Sequence, residues 1–152
     1  MGKVEYFAYG SNMNSQQMKC RCSSAISLGR AFLEGYDFVY DGCSCRWKGA
    51  VANVVPKEGS KVWGRLYEID ESDLQKLDRC EGYPKAYTRE KLTVVDDEGE
   101  KHKAWVYFRK QPEKLGDPTD EYRNTVIEGA KGCGLPEDYI KEKLQRQYGE
   151  SN

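Results

Sequence analysis

Histidine is nearly absent: His102 is the one histidine in 152 residues. That scarcity removes a Cys-His or Ser-His-Asp nucleophile unless His102 itself serves, and it makes a carboxylate the expected general base. Long apolar runs are missing as well. No stretch approaches the ~20 residues of a membrane span. The opening Met1-Gly2-Lys3-Val4-Glu5 lacks the apolar run of ~7–15 residues that a secretory signal requires. Tyr6 stands where a myristoylation signal would need Ser or Thr. The expected compartment is therefore the cytoplasm. Charge of one sign is absent too, since 24 Lys and Arg against 25 Asp and Glu leave a net −1. With the two signs interspersed, the chain has no electrostatic footprint for nucleic acid or an anionic membrane. Low-complexity tracts and internal repeats are also lacking.

Cysteine, by contrast, is plentiful. The six stand at positions 20, 22, 43, 45, 80 and 133, and in a cytosolic chain the default is reduced thiols. Cys20-Arg21-Cys22 and Cys43-Ser44-Cys45 form two C-x-C pairs, and four thiolates can bind zinc. Zinc ribbons, however, place two to four residues between paired cysteines, where these pairs have one, and His102 is remote from both pairs. Free cysteines rather than a metal site are expected. With 38% hydrophobic and 32% charged residues, the composition is that of one globular domain over residues 1–152.

The chain opens on an aromatic, β-prone run from Val4 to Tyr9, followed by Gly10-Ser11-Asn12. Gly10 is free to take a positive φ, and the loop amides can form a nest for a carboxylate or phosphate, with a short helix from Asn14 to Met18 behind it. The alternative is a strand followed by an ordinary turn. Ala25 to Gly29 and Ala31 to Tyr40 read as two paired strands, and the polar stretch from Asp41 to Gly49 as a loop fit to rim a pocket. Ala50 to Val55 and Val62 to Ile69 read as a hairpin around a turn at Lys57-Glu58-Gly59-Ser60.

Asp70 or Ser72 caps a helix that Gly82 and Pro84 stop. Leu74, Leu77 and Glu81 fall on one stripe, so Glu81 points inward. Burial and the negative end of the helix dipole would both raise its pKa, which suits a group that takes and returns a proton. The alternative is an ordinary wet helix end. Tyr87 to Asp96 and Lys103 to Arg109 form strands about a turn at Asp97 to Glu100. Asp117-Pro118 opens a helix to Ala130 carrying Tyr122 and Val126 on one face. Pro136 opens a last helix with Tyr139, Ile140 and Leu144 buried. The fold class is α+β, with about six strands forming a small barrel or a strongly bent sheet.

With Tyr9-Gly10-Ser11-Asn12 and Glu81-Gly82-Tyr83-Pro84 both in view, the chain resembles the gamma-glutamylcyclotransferase family. Trp63-Gly64-Arg65-Leu66-Tyr67 resembles the family's strand before the catalytic helix. Tyr122 through Lys131, then Gly134-Leu135-Pro136-Glu137-Asp138-Tyr139, resembles its C-terminal helix pair. The resemblance implies a small mixed β-barrel with flanking α-helices. It implies that Tyr6, Phe7, Ala8, Tyr9, Gly10 and Ser11 hold the α-carboxylate of a gamma-glutamyl substrate, that Glu81 is the general acid/base, and that Tyr122 contacts substrate. The implied reaction releases 5-oxoproline and a free amine, with no cofactor and no metal. Two other readings stay open: deacylation of a dedicated gamma-glutamylated biosynthetic intermediate, and a non-catalytic anion-binding domain. The expected partner is a small gamma-glutamyl molecule, with neither nucleic acid nor membrane. A homodimer is compatible with the chain.

Overall fold

Two glycines carry the chain through what the sequence reads as a break. Gly29 and Gly35 take φ of +99° and +86° at the two register shifts where one strand pairs irregularly with the next, so the expected strand pair at 25–29 and 31–40 is a single bulged strand. The computed structural model describes residues 2–44 and 46–148. Within them run β1 (Lys3–Ala8), α1 (Ser15–Arg21), β2 (Ile26–Asp41), β3 (Val51–Asp70), α2 (Leu74–Glu81), β4 (Thr88–Asp96), β5 (Lys101–Phe108), α3 (Asp120–Cys133) and α4 (Glu137–Tyr139), the last continuing as a π-turn through Ile140–Leu144.

The strands close into a barrel in the order β1-β3-β2-β4-β5. All pairings are antiparallel except β1 with β5, which meet in parallel at Tyr6 and Trp105. Five strands rather than about six result, because a second expected break also fails. Residues 51–56 and 61–70 do not form a hairpin with each other; both halves of β3 pair with β2, and the register jumps from Tyr36–Pro56 to Glu34–Lys61. Residues 57–60 are accommodated as a largely exposed excursion opposite Gly35. Pairing with a long, twisted neighbour outweighs the local turn signal because it satisfies many more backbone groups.

Two of the helices are capped at their own N-termini by short local bonds. Asn14 caps α1 by accepting from Gln17 N–H, and Thr119, not Asp117, caps α3 by accepting from Tyr122 N–H. Gly82 (φ +69°) and Gly134 (φ +78°) close α2 and α3 in the left-handed conformation. Tyr139, Ile140 and Leu144 are buried as their spacing predicts.

Two glycines then fix distances that matter for the site. A Cβ on Gly64 would lie 2.3 Å from the Ala8 carbonyl oxygen, and one on Gly129 would lie 2.4 Å from Asn14 N. Their lack of a side chain lets β3 press against β1 and α3 press onto the turn that follows β1. Among the described residues no helix is long and apolar enough to cross a membrane.

Candidate active site

The turn after β1 is held from below. Ser11–Met13 makes one 3-10 turn whose first bond runs from Met13 N–H to the Gly10 carbonyl, so the Ser11 and Asn12 amides have no partner inside the segment. From β3, Tyr67 donates to the Asn12 carbonyl at 2.7 Å and Arg65 donates through Nε to the Met13 carbonyl at 3.0 Å. From α1, Gln17 Nε2 donates to Ser11 Oγ (2.7 Å) and to Asn12 Oδ1 (3.0 Å), and Arg21 Nη1 also reaches Asn12 Oδ1 (3.1 Å). Asn12 Nδ2 donates to the Tyr6 hydroxyl at 3.0 Å, which leaves the phenol proton free for another acceptor. Ser11 and Asn12 are buried although polar, so this bonding is what makes their position tolerable.

Gly10 does not take the positive φ expected of it; its φ is −117°. The position needs glycine for room instead, since a Cβ there would meet Ala52 Cβ at 3.0 Å and the Tyr122 hydroxyl at 3.3 Å. Tyr122 and Tyr87 grip Ala52 from both sides of its peptide: Ala52 N–H donates to Tyr122 Oη at 3.0 Å, and Tyr87 donates to the Ala52 carbonyl.

Opposite this turn, α2 delivers Glu81. Asp78, three residues earlier, accepts from Arg89 Nε (2.7 Å) and Nη2 (3.1 Å) and from the Tyr107 hydroxyl (2.7 Å), which clamps α2 to β4 and β5. Arg89 in turn lies over the Trp105 ring at 4.4 Å. Glu81 retains partial access to solvent, yet loss of hydration dominates its titration. Burial pushes its carboxyl up to about 7, against the opposing pull of Arg21 and then Arg46. Its negative charge is felt by Tyr6, Tyr9, Tyr87, Tyr107 and Tyr122, whose hydroxyls burial already holds above the usual phenol range. These phenols are neutral donors at any physiological pH.

A cavity of about 420 Å³ lies between the two elements. Tyr6, Phe7, Tyr9, Gly10, Ser11, Glu81 and Tyr122 all line it; Ala8 does not, its methyl being part of the barrel core. The loop after β2 contributes Cys43, Ser44, Arg46 and Trp47, as a polar loop rimming a pocket should. It is anchored at its base by fully buried Asp41, which accepts from Asn53 Nδ2 at 3.0 Å and pairs with Arg109.

Arg21, Arg79, Arg109 and Tyr87 line the cavity and Asp78 and Arg89 form the clamp without having been marked in the sequence, and Arg46 is marked only as part of the rimming loop. No short-range signal singles out the five lining residues, because each reaches the cavity from a different segment of the chain. His102 stands outside the cavity lining and is not a base for it. The thiols do not gather: among the described residues no group of three or more His, Cys, Asp or Glu could hold a metal ion. Burial raises Cys22 to about 11, a thiol rather than a thiolate ligand, and Cys45 lies outside the described residues.

Residues 6–125 match the family described as "Gamma-glutamyl cyclotransferase, AIG2-like". The chain is 30% identical over 142 residues to the gamma-glutamylcyclotransferase of Bos taurus, covering 90% of this chain and 75% of that one. To that of Homo sapiens it is 30% identical over 145 residues, covering 92% and 76%. A solved gamma-glutamyl cyclotransferase structure superposes with a TM-score of 0.90 at 26% identity, over 99% of this chain and 91% of that one.

Proposed function

The chain belongs to the gamma-glutamyl cyclotransferase, AIG2-like family, and on that premise we propose that it converts a gamma-glutamyl amino acid or related gamma-glutamyl amide into 5-oxoproline and the free amine. The substrate carries its own nucleophile. The α-amine closes on the γ-carbonyl carbon, a five-membered lactam forms, and the bond from that carbon to the departing nitrogen breaks. Glu81, ionised, takes a proton from the α-ammonium so that nitrogen can attack, then returns it to the leaving nitrogen. Atoms balance without water or any second reactant.

The observation that carries this reading is Glu81 itself. It is the one carboxylate among the lining residues described, and burial brings its pKa to about 7, where a carboxyl passes between both states at little free-energy difference. The turn at Gly10-Ser11-Asn12 faces it with the Ser11 and Asn12 amides, which have no partner within the turn, and with fixed polar side chains suited to an α-carboxylate. Tyr6 and Tyr122 present neutral hydroxyls. Holding amine and carbonyl at attack distance in such a walled site supplies several kcal/mol of the acceleration.

The test is Glu81→Gln, an isosteric change that cannot shuttle a proton. Release of 5-oxoproline from gamma-glutamyl-alanine should fall about 10²–10⁴-fold while the fold is kept; release near the parent rate would remove Glu81 from the chemistry. Gly10→Val should abolish substrate binding, because the new side chain drives into Ala52 and Tyr122. Ser11→Ala removes one hydroxyl contact, worth about 0.5–1.5 kcal/mol, and should be milder.

A further inference from the structure

The two ends of the cavity differ in charge. Its deep end is formed by the buried side chains of Tyr6, Tyr9, Ser11 and Asn12, which are neutral. Its outer end carries guanidinium groups. Of the four arginines in the lining, Arg109 is neutralised by Asp41, and Arg21 is tied to the Asn12 side chain beside the deep end. Arg46 and Arg79 are exposed at the rim, and among the described residues neither has a carboxylate within ion-pair distance. They come from different walls. Arg46 stands in the loop anchored by Asp41, next to Trp47, whose ring packs on Tyr122 at 4.8 Å. Arg79 stands on α2, one residue past the clamped Asp78.

Charge balance then constrains the ligand. A gamma-glutamyl group brings one α-carboxylate and one α-ammonium, which sum to zero. Glu81 offsets at most one of the three guanidinium groups that lack a carboxylate partner. The remaining positive charge is not answered by the gamma-glutamyl part, and it sits where the rest of the substrate must lie if that part fills the deep end.

We infer that Arg46 and Arg79 select the leaving amine, favouring one that bears two carboxylates, such as an acidic amino acid or a short acidic peptide, over neutral and cationic amines. This rests on the cyclotransfer reading above. Contacts of this kind act equally on bound substrate and transition state, so they are read mainly in KM, and partly exposed pairs weaken with salt.

The experiment compares kcat/KM of the purified chain for gamma-glutamyl-aspartate, gamma-glutamyl-alanine, gamma-glutamyl-alaninamide and the gamma-glutamyl amide of 1,4-diaminobutane, reading 5-oxoproline. It is run at about pH 8.5, above the Glu81 pKa, because Arg46 also acts on that carboxyl. The expected order follows the negative charge of the leaving group. The aspartate compound should exceed the alaninamide by about tenfold at low salt, and this ratio should shrink in about 0.5 M salt. Arg46→Gln and Arg79→Gln should each cut it roughly threefold through KM, with Arg→Lys keeping part of it.

A ratio within about twofold of unity in the parent, or one that survives in the double glutamine variant, overturns the inference and leaves the cyclotransfer reading standing. If no member of the series yields 5-oxoproline, the cyclotransfer reading fails. Calorimetric titration of the same four compounds then reads the rim alone, and equal affinities overturn the selection.

Discussion

Glu81 and His102 are both raised above their ordinary pKa values, and their surroundings could hardly differ more. His102 is held between two carboxylates, Glu5 Oε1 at 2.7 Å from Nδ1 and Asp96 Oδ2 at 2.8 Å from Nε2. The bond to Asp96 is the main reason its pKa is raised. It belongs to β5, the strand that closes the barrel against β1, and shares a surface cleft with Lys3, Lys91, Lys101, Lys103 and Glu68. Glu81 has no ion-pair partner among the described residues, and lost hydration rather than a neighbour raises its pKa. Both nitrogens of His102 are committed to the fold. The carboxyl of Glu81 still has its bonding capacity open to a ligand, which is the difference between a structural titratable group and one available for chemistry.

The two residues should differ most in activity. Glu81→Gln should lower kcat/KM by about 10²–10⁴, whereas His102→Gln should leave it within about twofold, since His102 touches nothing in the cavity; a large loss in the histidine variant would overturn the division. Next comes the pH profile. kcat/KM should rise with pH through about 7 as Glu81 ionises, and His102→Gln should not move that limb. Arg21→Gln should move it to higher pH, because Arg21 is the largest influence holding the carboxyl down. An unmoved limb in the arginine variant would mean that another group titrates there.

Smaller effects separate the two in stability. A carboxyl raised on folding adds stability that is fully present below 4.5 and is lost as pH rises through about 7. Glu81→Gln should therefore raise the Tm by about 5 °C at pH 8 and hardly change it at pH 4. The raised His102 acts in a later window: its contribution is whole below 6.5 and disappears as pH climbs through its higher folded value. His102→Gln should lower the Tm by about 1–3 °C at pH 6, with a smaller difference at pH 9. Thermal melts at these pH values read both, and coincident windows for the two variants would contradict the assignment.

Glu81 was legible because a helix with a 3.6-residue period places position 81 under Leu74 and Leu77, and Gly82 marks where it must stop. The α3 stripe at Tyr122 and Val126 was legible for the same reason. His102 could be counted but not placed, since its two carboxylates come from β1 and β4, 97 and 6 residues away. Gly10 was recognised as special for the wrong cause. A glycine in a turn suggests a positive φ, whereas here it is the approach of Ala52 and Tyr122, from β3 and α3, that leaves no room for a side chain. The bulged strands failed in a similar way, because Gly29 and Gly35 read as ends until a partner strand is there to pair across them.

What the sequence determined by itself is local and periodic: the turn residues 10–12 after an aromatic strand, the inward face of α2, the capping glycines, and the polar loop that rims the cavity. These follow from backbone preferences and side-chain spacing within a dozen residues. Only the tertiary structure decided that β2 and β3 run unbroken, that Asp78 and Arg89 clamp α2, and that Arg46 and Arg79 meet at one rim. Each of those depends on which elements pack together when the barrel closes, even where, as for Asp78 and Arg89, the partners are only 11 residues apart. A residue's own neighbours in sequence carry no record of which charge or ring will stand beside it once the barrel closes.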